Sequence, residues 1–163
     1  MKKLMFFGCL MLGLMSLNAF AQDAQEEVTE EEMMKFAVME ESVAAYLNEK
    51  QENLIEMIKN DETLGGAARY NEIKAAWGKE DKLAEINVTA EEREAFQTIQ
   101  NYVDSLGKDV VKYKTDLIMD QEVLGAATYN KVKKAMDSDP TVKEKVDTMI
   151  VELKEKRVDE DGL

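Results

Sequence analysis

Histidine is missing from the 163 residues, and cysteine, proline and tryptophan occur once each, as Cys9, Pro140 and Trp77. Without imidazole the chain has no histidine general base, no serine-histidine relay and no histidine-ligated metal. A single cysteine cannot close an intramolecular disulfide, so chemistry resting on paired sulfurs is excluded too. A lone proline leaves long stretches free to run as uninterrupted helix. Basic residues are in deficit: 21 lysines and arginines stand against 34 aspartates and glutamates, a formal charge of −13. That excess repels phosphate backbones and anionic lipid surfaces, and no basic stripe offsets it, so no nucleic-acid partner is expected. Beyond Leu17 there is no long apolar run, and no membrane span is expected after that point.

What is present begins with Lys2 and Lys3, the apolar run Leu4 to Leu17, and the small-x-small triplet Ala19-Phe20-Ala21. This order reads as a cleavable secretory signal peptide over residues 1–21, which predicts an exported protein, periplasmic or secreted, starting at Gln22. Cys9 leaves with the signal, and the loss of two lysines takes the formal charge from −13 to −15. Residues 22–27 read as an acidic flexible N-terminus, residues 28–158 as one helical domain, and residues 159–163 as a frayed acidic tail.

Within the domain the sequence repeats itself. Val28-Thr29-Glu30-Glu31-Glu32 returns as Val88-Thr89-Ala90-Glu91-Glu92, and Phe36 returns as Phe96. Gly66-Ala67-Ala68-Arg69-Tyr70-Asn71 returns as Gly125-Ala126-Ala127-Thr128-Tyr129-Asn130, one position out of step because Gly65-Gly66 is matched by Gly125 alone. Two tandem copies are expected, repeat one over 28–87 and repeat two over 88–158.

Each copy opens with a capping box, Thr29 with Glu32 and Thr89 with Glu92, in which side chains satisfy the free amides of a helix start. In repeat two, Phe96, Ile99, Val103, Leu106, Val110, Tyr113 and Leu117 alternate at spacings of three and four, the seam of a long helix. Repeat one begins in the same way with Phe36, Met39, Val43 and Tyr46. Lys50 then interrupts it, so its register is expected to move toward Leu47, Leu54 and Ile58. Such helices of about 30 residues run about 45 Å. Glycine is expected to close each long helix, with Leu64 or Leu124 packed beside it. A short helix follows in each copy, carrying Tyr70, Ile73 and Trp77, or Tyr129, Val132 and Met136. Asp139-Pro140 caps a last helix with an apolar stripe from Val142 to Leu153. The fold expected is all-α: a helical bundle of two tandem helical hairpins, two long helices with shorter ones.

Repeat two joins a phenylalanine-bearing acidic helix start, a leucine-glycine turn, Tyr129-Asn130-x-Val132 and Asp139-Pro140. In these features it resembles the exported bacterial family catalogued as domain of unknown function 4168. The resemblance covers residues 88–146 best, and 28–86 less fully because Glu80-Asp81 stands where Asp-Pro would be. It implies a helical fold and an envelope location, with no reaction assigned.

Carboxylates are plentiful, but runs such as Glu30 to Glu32 read as solvated helix faces rather than acid-base pairs in a cleft, so no catalytic residue is expected. Gly65-Gly66-Ala67-Ala68 lacks the Gly-Lys-Ser/Thr ending of a phosphate loop, and no cofactor is expected. Met33, Met34 and Met39 lie at helical spacing beside Phe36 and read as core rather than soft-metal ligands, so no metal is expected. Tyr70-Asn71 and Tyr129-Asn130 are the most suggestive polar pairs. One reading makes them two equivalent partner or ligand contacts; the other buries the tyrosine rings and lets the asparagines tie each short helix to a neighbouring turn. The expected function is a non-enzymatic, exported interaction or structural module of the bacterial envelope, whose partner is another protein or a second copy of the chain. The alternative is a small-ligand or chaperone-like binder with a groove between the repeats.

Overall fold

Two threonines start the two long helices as the sequence predicts. Thr29 Oγ1 accepts from the Glu32 amide at 3.2 Å while Glu32 Oε2 accepts from the Thr29 amide at 2.8 Å. Thr89 and Glu92 repeat the exchange at 3.2 and 2.9 Å. In the computed structural model, which describes residues 27–161, these caps open α1 (Glu30–Asn60) and α4 (Ala90–Met119). The remaining helices are α2 (Ala67–Ala76), α3 (Glu80–Glu85), α5 (Ala126–Ser138) and α6 (Pro140–Asp161). The fold is all-α, with six helices and no strand among the described residues. The expected signal peptide, residues 1–21, lies outside them.

The glycines act differently from expectation. Both long helices stop on an aspartate, Asp61 or Asp120, whose carbonyl accepts the amide of Gly65 or Gly125 at 2.9 Å. The Asp61 carboxylate also takes the Leu64 amide, and the Asp120 carboxylate the Glu122 amide, each at 2.8 Å. An aspartate turn therefore closes each long helix. Gly66 (φ 102°) and Gly125 (φ 81°) instead stand at the N-caps of α2 and α5. A side chain would strain the backbone at both positions. Leu64 and Leu124 are buried beside these turns as expected. Asp139 caps α6 through the Thr141 amide at 2.8 Å. Pro140 follows it at the first helical position, where its missing amide costs nothing. That helix continues to Asp161, beyond the point where fraying was expected.

α1 and α4 run antiparallel. Glu40 pairs with Lys114 (2.7 Å), the Tyr46 and Tyr113 rings stack at 4.4 Å, and the Tyr102 hydroxyl donates to the Lys50 carbonyl at 3.2 Å. Lys50 does interrupt the apolar seam, and its ammonium lies 4.9 Å from the Tyr46 ring centre, within cation-π reach. α6 runs parallel to α1, its start beside Glu30 and Met33 and Arg157 bonded to Glu41 at 2.7 Å.

The core is split between the two ends of the α1–α4 pair. At one end Leu54, Met57 and Ile58 of α1 meet Tyr70 and Ile73 of α2, Leu83 of α3, and Phe96 and Ile99 of α4. At the other, Met33, Phe36 and Met39 of α1 meet Leu117 of α4, Val132 of α5 and Val146 of α6. Each short helix sets its tyrosine against the phenylalanine of the other long helix. The ring centres of Tyr70 and Phe96 are 5.2 Å apart, and those of Tyr129 and Phe36 are 5.5 Å apart. A hairpin of one half is therefore completed by the other half.

The unequal lengths of α3 and α6 show in the sequence of the long helices. Ala37 is fully buried on α1 between Met33 and Glu41, the positions that meet α6, whereas α3 is six residues long and the position sixty residues on, Gln97, faces solvent. Met34 corresponds in the same way to Glu94. Where no helix lies alongside, the apolar stripe is replaced by polar side chains that need no cover.

Candidate functional site

The four residues singled out by sequence do not converge. Tyr70 is buried inside one end core, where Gln100 Nε2 donates to its hydroxyl at 3.0 Å. Tyr129 is half-buried in the other end core. Asn71 and Asn130 point to solvent, one at each end of the molecule, and neither makes a side-chain hydrogen bond among the described residues. The tyrosines hold the short helices, as the structural reading expects, although the hydroxyl of Tyr70 meets a side-chain amide rather than a backbone carbonyl. The asparagines tie nothing to a neighbouring turn.

The strongest electrostatic features are also structural. Arg69 on α2 holds Glu92 through Nε to Oε1 (2.6 Å) and Nη2 to Oε2 (2.8 Å), and its Nη1 reaches the Ile86 carbonyl at 3.1 Å. Lys131 on α5 donates to both oxygens of Glu32 at 2.9 Å. Both carboxylates are held below the ordinary glutamate range, Glu92 chiefly by the Arg69 guanidinium and Glu32 chiefly by the Thr29 amide with Lys131 next. Hydrogen bonds and cations that favour the charged form are the cause in each case. They stay ionised near neutral pH, which suits a helix cap and does not suit a proton donor. Among the described residues no group of three or more aspartates and glutamates is arranged to hold a metal ion.

The site that the fold does create lies between α1 and α6. Their parallel packing leaves an open groove of about 600 Å³ lined by Met33, Met34 and Met149, with Glu30, Glu144, Glu152 and one cation, Lys145, around it. Farther along α1 a second hollow of about 700 Å³ is bordered by Glu41, Ala45, Tyr46, Glu52 and Arg157. Met34, Glu41, Ala45 and Glu52 recur at helical spacing, so the two hollows follow one edge of α1. Met34 and Val38 are 39 and 40% exposed on or beside this edge. Met39 and Met33 are buried in the core as expected from the sequence, and Met34 is the one of the three that is exposed.

The methionines at 33 and 34 were visible in the sequence, but their partner surface on α6 was not. Periodicity reports which face of a helix is apolar, not which distant helix lies next to it. No helix among the described residues is long and apolar enough to cross a membrane. Compared with known proteins, the chain matches no family model, no curated protein and no solved structure.

Proposed function

We propose that this chain is a non-enzymatic, exported interaction module of the bacterial cell envelope, in which the edge between α1 and α6 receives a protein partner. The observation that carries this reading is the groove itself, which leaves Met34 exposed beside the half-buried Met149 while every buried side-chain nitrogen and oxygen among the described residues is hydrogen-bonded. Polar groups elsewhere serve the fold, whereas Met34 in this groove is left 39% exposed to solvent. Two tandem copies of one helical unit account for the matched caps, aspartate turns and tyrosine-phenylalanine pairs. On this reading the longer final helix distinguishes repeat two and builds the groove. The signal-like residues 1–21 and the resemblance to domain of unknown function 4168 support the envelope location.

A photo-crosslinking amino acid in place of Met34, in cells exporting the chain, tests the proposal; the same group at Val111, well exposed on α4, is the control. A discrete conjugate with one protein from position 34 alone supports the interaction module. No conjugate, together with stoichiometric uptake of a lipophilic dye by the purified chain, would contradict it and favour the small-ligand or chaperone-like alternative.

A further inference from the structure

We propose that the α1–α6 groove takes a cationic amphipathic helix, an assignment that rests on the interaction-module reading and names its partner by chemistry. The floor supplies flexible thioethers, the exposed Met34 and the half-buried Met149 above the buried Met33, with Val38 one turn beyond Met34. Methionine side chains adapt to irregular apolar surfaces, as a groove receiving the apolar stripe of another helix requires.

The rim defines the sign of the partner. Acids at the helix-helix contacts have internal cations: Glu32 with Lys131, Glu40 with Lys114, Glu41 with Arg157, Glu92 with Arg69. Along the groove the balance changes: Glu30, Glu144 and Glu152 stand against one cation, Lys145, and these three acids, with Glu52 beyond the pair of Glu41 and Arg157, form no ion pair among the described residues. Lysines or arginines flanking an incoming apolar stripe complement these carboxylates and steer the encounter. A second copy of the chain, at −13, brings charge of the wrong sign. An anionic lipid surface does the same.

Length fits as well. The stretch of α1 from Glu30 to Glu52 borders both hollows. It corresponds to about 33 Å of helix, so a partner helix of about 20 residues lies along the whole edge.

The experiment titrates the full exported chain with a fluorescent leucine-lysine amphipathic helix of about 20 residues, a scrambled peptide of the same composition, and a leucine-glutamate helix. Methionine methyl NMR reports the place of binding. The expected result is one-to-one binding of the leucine-lysine helix that weakens with salt. The methyl signals of Met34 and Met149 move, and that of Met119, exposed at the C-terminal end of α4 and outside the groove lining, does not. Glu144→Lys with Glu152→Lys lowers affinity about tenfold or more. Both positions are solvent-facing, and an unchanged melting temperature verifies that the variant is folded. Equal affinity for the scrambled peptide, or equal movement of Met119, shows diffuse adsorption to an acidic surface and overturns the proposal. Failure of the leucine-lysine helix to bind also overturns it. If the crosslinker at Met34 still captures one protein in that case, the interaction module stands and only the cationic-helix assignment falls.

Discussion

Arg69 and Glu92 join the two halves of the chain across 2.6 and 2.8 Å hydrogen bonds, so the glutamate that caps α4 is held by the short helix of the preceding half. Lys131 does the same for Glu32, the cap of α1. The cations do not occupy matching positions: Arg69 corresponds to Thr128, and Lys131 to Glu72, one turn later in the short helix. The contact is thus set by the approach of a short helix to a cap rather than copied residue for residue.

Loss of Arg69 is therefore expected to cost more than loss of Lys131. Arg69→Ala removes a two-pronged bond to a carboxylate that is 12% exposed. A cost of about 1.5 to 3 kcal/mol is expected in urea unfolding. Lys131→Ala removes a point charge from a carboxylate that is 24% exposed. Here a cost of about 1 kcal/mol or less is expected. Arg69→Lys should restore only part of the loss, because an ammonium cannot reproduce the fork. Equal costs for the two alanine variants would contradict this ranking.

The same two carboxylates predict an acid dependence. The folded chain holds Glu32 and Glu92 below the ordinary value of 4.5, and the unfolded chain returns them to it. A depressed folded pKa contributes stability that is complete above about 4.5 and disappears as pH falls through the lower folded values. Melting temperatures followed from about pH 6 downward should therefore separate the parent from the Glu32→Gln, Glu92→Gln double variant, the parent losing more below about 4.5. Relief of general negative repulsion acts on both proteins alike, so parallel curves would show that the caps carry no pH-linked stability.

The two tyrosines should separate under a minimal change. Tyr70→Phe deprives Gln100 of its acceptor, and a cost of about 1 kcal/mol is expected. Tyr129→Phe is expected to be nearly neutral, since its hydroxyl makes no hydrogen bond among the described residues. Truncation reaches further. Tyr70→Ala should cost about 3 to 5 kcal/mol and Tyr129→Ala about 2 to 4 kcal/mol, the half-buried ring losing less. Urea midpoints that rank the two phenylalanine variants in the opposite order would overturn the assignment.

Covering of α1 by α6 gives a fourth test. Ala37 is fully buried, so Ala37→Leu forces extra volume between the α1 positions that meet α6. A cost of about 1 to 3 kcal/mol is expected, with faster amide exchange along α6. Gln97, at the equivalent place on α4, is exposed. Gln97→Leu should stay within about 0.5 kcal/mol of the parent. Equal effects at the two positions would mean that α6 does not lie on α1 as described.

What was legible in the sequence was local. The Thr29 and Thr89 caps, the Asp139-Pro140 start and the burial of Leu64, Leu124, Tyr70 and Ile73 each depend on neighbours within a few residues, and each appears in the fold. The glycines misled because Leu-Gly also ends many helices. Here Asp61 and Asp120 form the turn instead, with both carbonyl and carboxylate. The exchange of Tyr70 to Phe96 and of Tyr129 to Phe36 lay beyond periodicity, which does not say which long helix a short helix joins. For the same reason the groove was hidden: Met34 and Met149 are far apart in sequence, and only the parallel run of α6 along α1 brings their helices to one edge.

Interlocking of the halves is tested most directly by circular dichroism on residues 22–87 and 88–163, alone and mixed. Each end core takes side chains from both segments. A unit of about 60 residues, moreover, buries a smaller share of its surface than the whole chain and is marginal by itself. Separately, the two segments should show little helix and no cooperative melt; mixed at equal concentration, they should regain the helicity and a single cooperative transition. A cooperative melt by either segment alone, unchanged on mixing, would show that each half completes its own core and would contradict the interlocked fold.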